Sequence, residues 1–172
     1  MNKEISRIEY QLNRKINGLY QIESYCYYGF PRVISTIPKL NDVLFPTLYW
    51  LTCPYLKKQL DSLEESGMIR ELSYKISKSK ELLTLYIKET EEYIKRRSRL
   101  FQMHFPNEEI PERISKSGIG GIKNWKKLSG IKCLHLHFAY FLVYPEEIIG
   151  NMINDKISFI CPHNECRGFT DS

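Results

Sequence analysis

The spacing of apolar residues divides this chain into a strand-like region, residues 19–51, and helical regions on either side of it, and this division constrains the fold most. Residues 19–26 and 32–37 are rich in Tyr, Ile and Val and flank the turn-prone sequence YYGFP. They therefore predict a β-hairpin. Residues 44–51 fit a third strand, which Pro46 confines to a sheet edge or an irregular start.

Apolar stripes at helical spacing predict helices over residues 3–15, 54–66 and about 79–103. Pro54 supplies a start signal for the second of these helices, and Gly67 supplies its stop. Grouped strands followed by helices are typical of an α+β domain. We expect a small antiparallel β-hairpin or three-stranded sheet packed with about five or six helices.

A chain of 172 residues is long enough for one hydrophobic core. We expect a single domain over residues 1–154 and a C-terminal tail over 155–172 that carries Cys161 and Cys166. The start of the chain lacks the apolar stretch of a secretory signal, and the most apolar segment, 134–143, is too short to cross a bilayer. These features predict a cytoplasmic protein with no membrane partner.

Positive charge is concentrated in one region of a chain whose net charge is +5. Residues 70–132 hold fifteen Lys and Arg against eight Asp and Glu. Arg96 and Arg97 near the end of the long helix, Gly120 in the glycine-rich sequence SGIGGIKNW, and Lys132 are candidates for binding an anion. The structural alternative is a solvated helix face, favoured by the helix macrodipole, and an ordinary glycine-rich connection.

Candidate metal ligands occur in three segments of the chain: Cys26, Cys53, and the sequence KCLHLH with Cys133, His135 and His137. In a chain without an export signal, cysteines are typical of thiols or metal ligands rather than disulfides. Thiolate and imidazole ligands serve zinc, iron and iron–sulfur clusters. We therefore predict a zinc or iron–sulfur site built from these five residues.

Other roles for these side chains stay open. The tail sequence CPHNEC offers Cys161, His163 and Cys166, which resembles half of a second zinc site. Cys53 or Cys133 could instead be a nucleophile with His135 or His137 as its base. Any one of these residues could also be an ordinary buried side chain of the core.

Five motifs together resemble the bacterial domain-of-unknown-function family 501: YCYYGFPRVI, FPTLYWLTCPYL, EEYIKRR, SGIGGIK and IKCLHLHFAY. The similarity runs from about residue 12 to 149. It implies that any site common to the family uses Cys26, Cys53, Cys133 and His135 rather than the tail cysteines. Relatives often carry histidine at the position of Tyr140, so the chain departs from the pattern there.

Two functions of different classes follow. The first is an uncharacterised bacterial protein with a Cys/His metal or iron–sulfur site that acts on an anionic substrate. The second is a non-catalytic adaptor that binds a protein or nucleic acid through a basic helical surface. The sequence leaves both the reaction and the substrate open.

Overall fold

The computed structural model describes residues 3–128 and 130–169, with Tyr20 described for its backbone only. Two small antiparallel sheets precede most of the helices. The strands are β1 (Leu19–Tyr25), β2 (Pro31–Thr36), β3 (Lys39–Leu40), β4 (Val43–Leu44) and β5 (Tyr49–Leu51). Within the described residues the α-helices are α1 (Lys3–Leu12), α2 (Pro54–Glu65), α3 (Met68–Lys78), α4 (Lys80–His104), α5 (Glu112–Ser115), α6 (Leu134–Phe141) and α7 (Ile148–Ile153). The expected α+β class is confirmed.

The main sheet has the order β1–β2–β5, and both of its pairings are antiparallel. The hairpin β1–β2 is the predicted one, and Gly29 in its turn has a φ of 74°, which glycine adopts without strain. The third strand lies at the sheet edge, as predicted, but it is shorter than predicted. Residues 44–51 are divided, because Pro46 lies between β4, which pairs with β3, and β5, which joins the main sheet.

The core lies between this sheet and the helices. α6 packs against β5 and α7, and it also contacts α2, while α4 contacts α3 and α7. The long helix α4 matches its prediction closely and begins at the N-cap Ser79, whose side chain accepts from Leu82 N. α3, which the apolar stripes did not predict, occupies the segment between Gly67 and Ser79. In the described part of the chain, no helix is both long and apolar enough to cross a membrane.

Residues 157–169 form no helix or strand and pack back onto the domain. Phe159 stacks on Phe138 of α6, with ring centroids 6.0 Å apart. Phe169 makes edge contacts with Tyr10 of α1 and Phe30 at the hairpin. The tail thus contacts α1, the β1–β2 hairpin and α6.

Candidate metal centre

The five predicted metal ligands lie in three separate places. Cys53 is the N-cap of α2, and Cys26 lies beside it in the wall of one cavity. Cys133 and His135 lie beside Glu64, near the opposite end of α2. Eleven residues of α-helix separate Cys53 from Glu64, which is about 16 Å at 1.5 Å per residue. One metal ion therefore cannot bind all of these side chains.

Three ligand atoms converge where α6 begins, on Glu64, Cys133 and His135, which we call the α2–α6 cluster. Each of these residues offers an atom that lies within 4.8 Å of the atoms of the other two. The Glu64 carboxylate fixes the arrangement, since its Oε1 accepts from Leu134 N at 2.6 Å and lies 3.1 Å from His135 Nδ1. It is the one such group of three found among the described residues.

Local backbone geometry explains how two neighbouring residues of KCLH reach the same place. Cys133 is the N-cap of α6 and is extended, with φ −161° and ψ 155°. The chain turns into the helix only at Leu134. This irregular first turn lets the Cys133 thiol and the His135 imidazole share one side, which an ideal helix would not allow at a spacing of two.

A second carboxylate lies close to the other nitrogen of the same imidazole. Asp61 lies one turn before Glu64 on α2, and its Oδ1 is 3.2 Å from His135 Nε2. The geometry of this contact is too poor for a hydrogen bond, and Nε2 has no hydrogen-bond partner. The side chains of His135 and Glu64 keep 20% and 25% exposure, so solutes can reach the cluster.

Burial raises the pKa of the Cys133 thiol above its ordinary value, although the backbone N–H groups of Leu136 and His135 lower it in part. A thiol with a raised pKa is protonated at neutral pH and is a weak nucleophile. A metal ion would have to displace this proton to bind the sulfur. The raised pKa therefore argues against a nucleophilic role for Cys133, and a ligand role requires that the ion itself displace the proton.

His137 belongs to neither group. Its side chain is fully buried, and its Nδ1 lies 2.8 Å from Glu147 Oε1. The other oxygen of Glu147 accepts from Gly150 N at 2.6 Å and caps α7. The pair therefore joins α6 to α7, which is a structural role. His137 lies two positions after His135, so the two rings leave α6 on different sides.

Of the four predicted anion-binding residues, Arg97 is fully buried. Its guanidinium donates to four backbone carbonyls and one hydroxyl: Ile114 O at 2.8 Å, Pro46 O at 2.7 Å, Gly118 O at 3.3 Å, Ser117 O, and Ser117 Oγ at 3.4 Å. These contacts use all five of its N–H groups. Arg97 thus fixes the start of the glycine-rich segment and has no N–H group left to donate to a bound anion.

Gly120 and Lys132 also engage each other. Lys132 Nζ donates to Gly120 O at 3.0 Å. Gly120 is buried with φ 68°, and a Cβ there would lie 2.8 Å from Leu136 and Lys132 side-chain atoms. The glycine therefore permits close packing. Arg96 stays accessible on another side of α4, where its guanidinium lies 3.6 Å from the centre of the Tyr144 ring.

Sequence reasoning did not find Glu64 and Asp61. Both lie on the polar face of an amphipathic helix among lysines and glutamates, where carboxylates are ordinary. The sequence indicates only that their i,i+3 spacing places both carboxylates on one helix face. The spacing points to a metal site only once the structure shows that KCLH packs against this face.

The chain matches the sequence model of the family described as "Protein of unknown function (DUF501)" over residues 22–155. Comparison with curated proteins and with solved structures finds no match to the chain. The matched range contains Cys26, Cys53 and the whole α2–α6 cluster, and it ends before Cys161 and Cys166. Because the match covers most of the sequence, the chain belongs to the DUF501 family.

Proposed function

We propose that this protein depends on a transition-metal ion, best fitted by Zn²⁺, bound by Cys133, His135 and Glu64. One observation carries the proposal: the three ligand atoms already lie within 4.8 Å of one another. A sulfur, an imidazole nitrogen and a carboxylate oxygen are the three donor types that zinc sites in proteins combine. A cluster that needs several thiolates would not fit, since Cys133 is the one thiol of this group.

The surrounding contacts suit ligand roles for these atoms. Histidine ligands usually donate their second ring N–H to a carboxylate, which fixes the tautomer and the ring orientation. Here Nδ1 faces the cluster while Nε2 lies 3.2 Å from Asp61. Glu64 is oriented in turn by the backbone N–H of Leu134. Leu134 would therefore position Glu64, and Asp61 would complete the outer shell once its carboxylate turns into hydrogen-bonding direction with Nε2.

Three protein ligands leave one position of a tetrahedral ion open, as in catalytic zinc sites. When bound, the ion would act as a Lewis acid toward water or an anionic group. His135 and Glu64 are part-exposed, so that position would be reachable from solvent. An anionic substrate in a reducing bacterial cytoplasm, where Cys133 stays a thiol, is the setting we propose.

Metal content tests this proposal. The full chain is purified anaerobically without chelators, supplied with Zn²⁺, and its bound zinc is measured by elemental analysis. Cys133→Ser, His135→Asn and Glu64→Gln should each lose one equivalent of zinc relative to the parent protein. His104→Asn removes an exposed imidazole elsewhere and should lose none. Zinc content that is unchanged in all three cluster variants would contradict the proposal.

A second candidate function rests on a basic groove. A cavity of about 530 Å³ beside Trp125 is lined by five lysines: Lys95, Lys116, Lys123, Lys126 and Lys127. A groove with clustered lysines is typical of a nucleic-acid-binding surface. This groove, rather than the four residues predicted from the sequence, would be the surface of an adaptor.

Binding of a single-stranded oligonucleotide, measured at several salt concentrations, tests this second candidate. Lys123→Glu with Lys127→Glu should weaken binding and flatten its salt dependence, because fewer counterions are released. Lys75→Glu with Lys78→Glu, on α3 outside the groove, reverses the same number of charges and is the matched control. Equal affinities for the parent protein and the groove variant would exclude this function.

A further inference from the structure

The structure assigns a second metal site to the four cysteines that the α2–α6 cluster does not use. Cys26, Cys53, Cys161 and Cys166 all line one cavity of about 40 Å³. This volume suits a single ion or water, and it is far below the 300–1,000 Å³ of ligand pockets. We propose that these four residues bind Zn²⁺ as thiolates. This site is independent of the proposed function and lies at the other end of α2.

The four sulfurs arrive from three parts of the chain. Cys26 directly follows β1 at the hairpin turn, and Cys53 follows β5 as the N-cap of α2. Cys161 and Cys166 come from the tail, more than a hundred residues away from either. Apolar packing alone gives no reason for four of the five cysteines to line the same cavity. Coordination of one zinc ion by four thiolates does give a reason.

Backbone and side-chain N–H groups are aimed at three of the sulfurs. Glu165 N donates to Cys161 Sγ at 3.3 Å, and Gln11 Nε2 donates to Cys166 Sγ at 3.4 Å. At Cys53, the N–H groups at the start of α2 lower the pKa of the thiol in part, against the larger effect of burial. Such donors are the contacts that orient and stabilise thiolate ligands.

Ile157 anchors the start of the tail in the core, but apolar burial close to the two tail cysteines is small. Ile160 is 81% exposed and Phe159 is 43% exposed, yet Cys166 is only 5% exposed. The polar contacts of the tail include two hydrogen bonds between Ser158 and Gln59, one from Tyr28 Oη to Cys161 O at 3.1 Å, and an exposed ion pair between Lys58 and Glu165 at 2.7 Å. Exposed pairs contribute little to stability. A bound ion would add a crosslink at Cys161 and Cys166 themselves.

Metal binding would contract the four-cysteine cluster. A tetrahedral ion with Zn–S bonds of 2.3 Å places its sulfurs about 3.8 Å apart. Among the described residues, only the α2–α6 cluster brings three ligand atoms within 4.8 Å of one another. The four cysteine sulfurs are therefore wider apart than in a loaded site. Cys26 and Cys161 are half-buried, and we propose that their side chains rotate inward when the ion binds.

A zinc ion bound by Cys161 and Cys166 would give the tail a function of its own. Cys26 and Cys53 lie within the range matched by the family, whereas Cys161 and Cys166 lie beyond it. Half of the ligands would thus come from a segment outside the family match. The resemblance assigned Cys26 and Cys53 to the same site as Cys133, but their cavity partners are the tail cysteines.

Reciprocal variants of the full chain test the second site, with zinc content and the Co²⁺ spectrum as readouts. Cys133→Ser removes the one thiol outside the four-cysteine cluster, so this variant should keep one equivalent of zinc. Its Co²⁺ form should show the strong sulfur-to-metal charge-transfer absorption of several thiolates. Cys133→Ser with Cys161→Ser should lose that equivalent, and the absorption should fall several-fold. An unchanged spectrum in the double variant would overturn the proposal.

A measurement on the unmodified chain keeps the test decisive if a variant folds poorly. Zn²⁺ should protect Cys26, Cys53, Cys161 and Cys166 together from alkylation, as mapped by mass spectrometry. Equal labelling with and without Zn²⁺ would overturn the proposal, as would a disulfide among these four residues in protein alkylated at lysis. Acid-labile sulfide would replace the zinc assignment with an iron–sulfur cluster. Zinc loss in Cys133→Ser reports on the first site alone, so the two proposals fail separately.

Discussion

Replacing the buried Arg97 with lysine tests whether this side chain is structural. All five guanidinium N–H groups donate to buried oxygens between residues 46 and 118. Lysine has three donors and lacks the planar fork, so at least two of the five hydrogen bonds are lost. Each hydrogen bond lost from this buried network costs about 1–2 kcal/mol. Arg97→Lys should therefore lower the free energy of unfolding by about 2–4 kcal/mol.

Urea unfolding followed by tryptophan fluorescence measures this loss. Trp125 is a suitable probe because it is buried and donates to Lys116 O at 2.9 Å, within the segment that Arg97 holds. With a typical dependence of 1–3 kcal/mol per molar urea, the midpoint should fall by about 1–2 M. Arg99→Lys, an exposed position on the same helix, should change stability by less than about 0.5 kcal/mol. Equal midpoints for the two variants would refute a structural role for Arg97.

Three further predictions concern the tail, a buried carboxylate and a glycine. Removing zinc with a chelator should increase hydrogen exchange in residues 157–169 far more than in α4, because the tail loses its crosslink; equal changes would argue against that role. Burial raises the pKa of Glu89 above its ordinary 4.5, so the native state holds this proton more tightly than the unfolded state. The free energy of unfolding should then fall as pH rises from 4.5 through that raised pKa, and Glu89→Gln should remove this part of the slope in unfolding titrations. Gly120→Ala should destabilise the protein by about 1–3 kcal/mol more than Gly29→Ala in the same assay, since both have positive φ but only Gly120 lacks room for a Cβ; equal losses would refute the packing argument.

Local patterns predicted the elements that local chemistry determines. The hairpin follows from strand-like residues around a glycine turn, and α2 and α4 follow from apolar stripes with recognisable starts. Residues 44–51 were predicted as one strand, but Pro46 removes a ladder donor and the segment divides into β4 and β5.

The candidate sites depend on long-range packing and could be predicted only in part. Cys133 and His135 were predicted as ligands, but Glu64 lies 69 residues before Cys133 on a helix face with the composition of an ordinary polar surface. Arg96 and Arg97 are adjacent in sequence, yet the 100° rotation per residue of a helix places only Arg97 in the core. The side that faces the core is set by partners elsewhere in the chain.

The two proposed sites also have a simple spatial relation. They lie at the two ends of α2, with the four-cysteine cluster at its N-terminus and the α2–α6 cluster near its C-terminus. A single ion bound by cysteines 26, 53 and 133 would need these ends to meet. Two ions separated by the length of the helix satisfy both ligand groups.

Zinc-edge anomalous scattering from crystals of the full chain grown with Zn²⁺ tests the central claim most directly. We expect one peak in contact with Cys133, His135 and Glu64. A second peak, roughly 16 Å away along α2 at 1.5 Å per residue, should lie among the four remaining cysteines. A map without a peak beside Cys133 and His135 would contradict the claim that this protein is metal-dependent through the α2–α6 cluster.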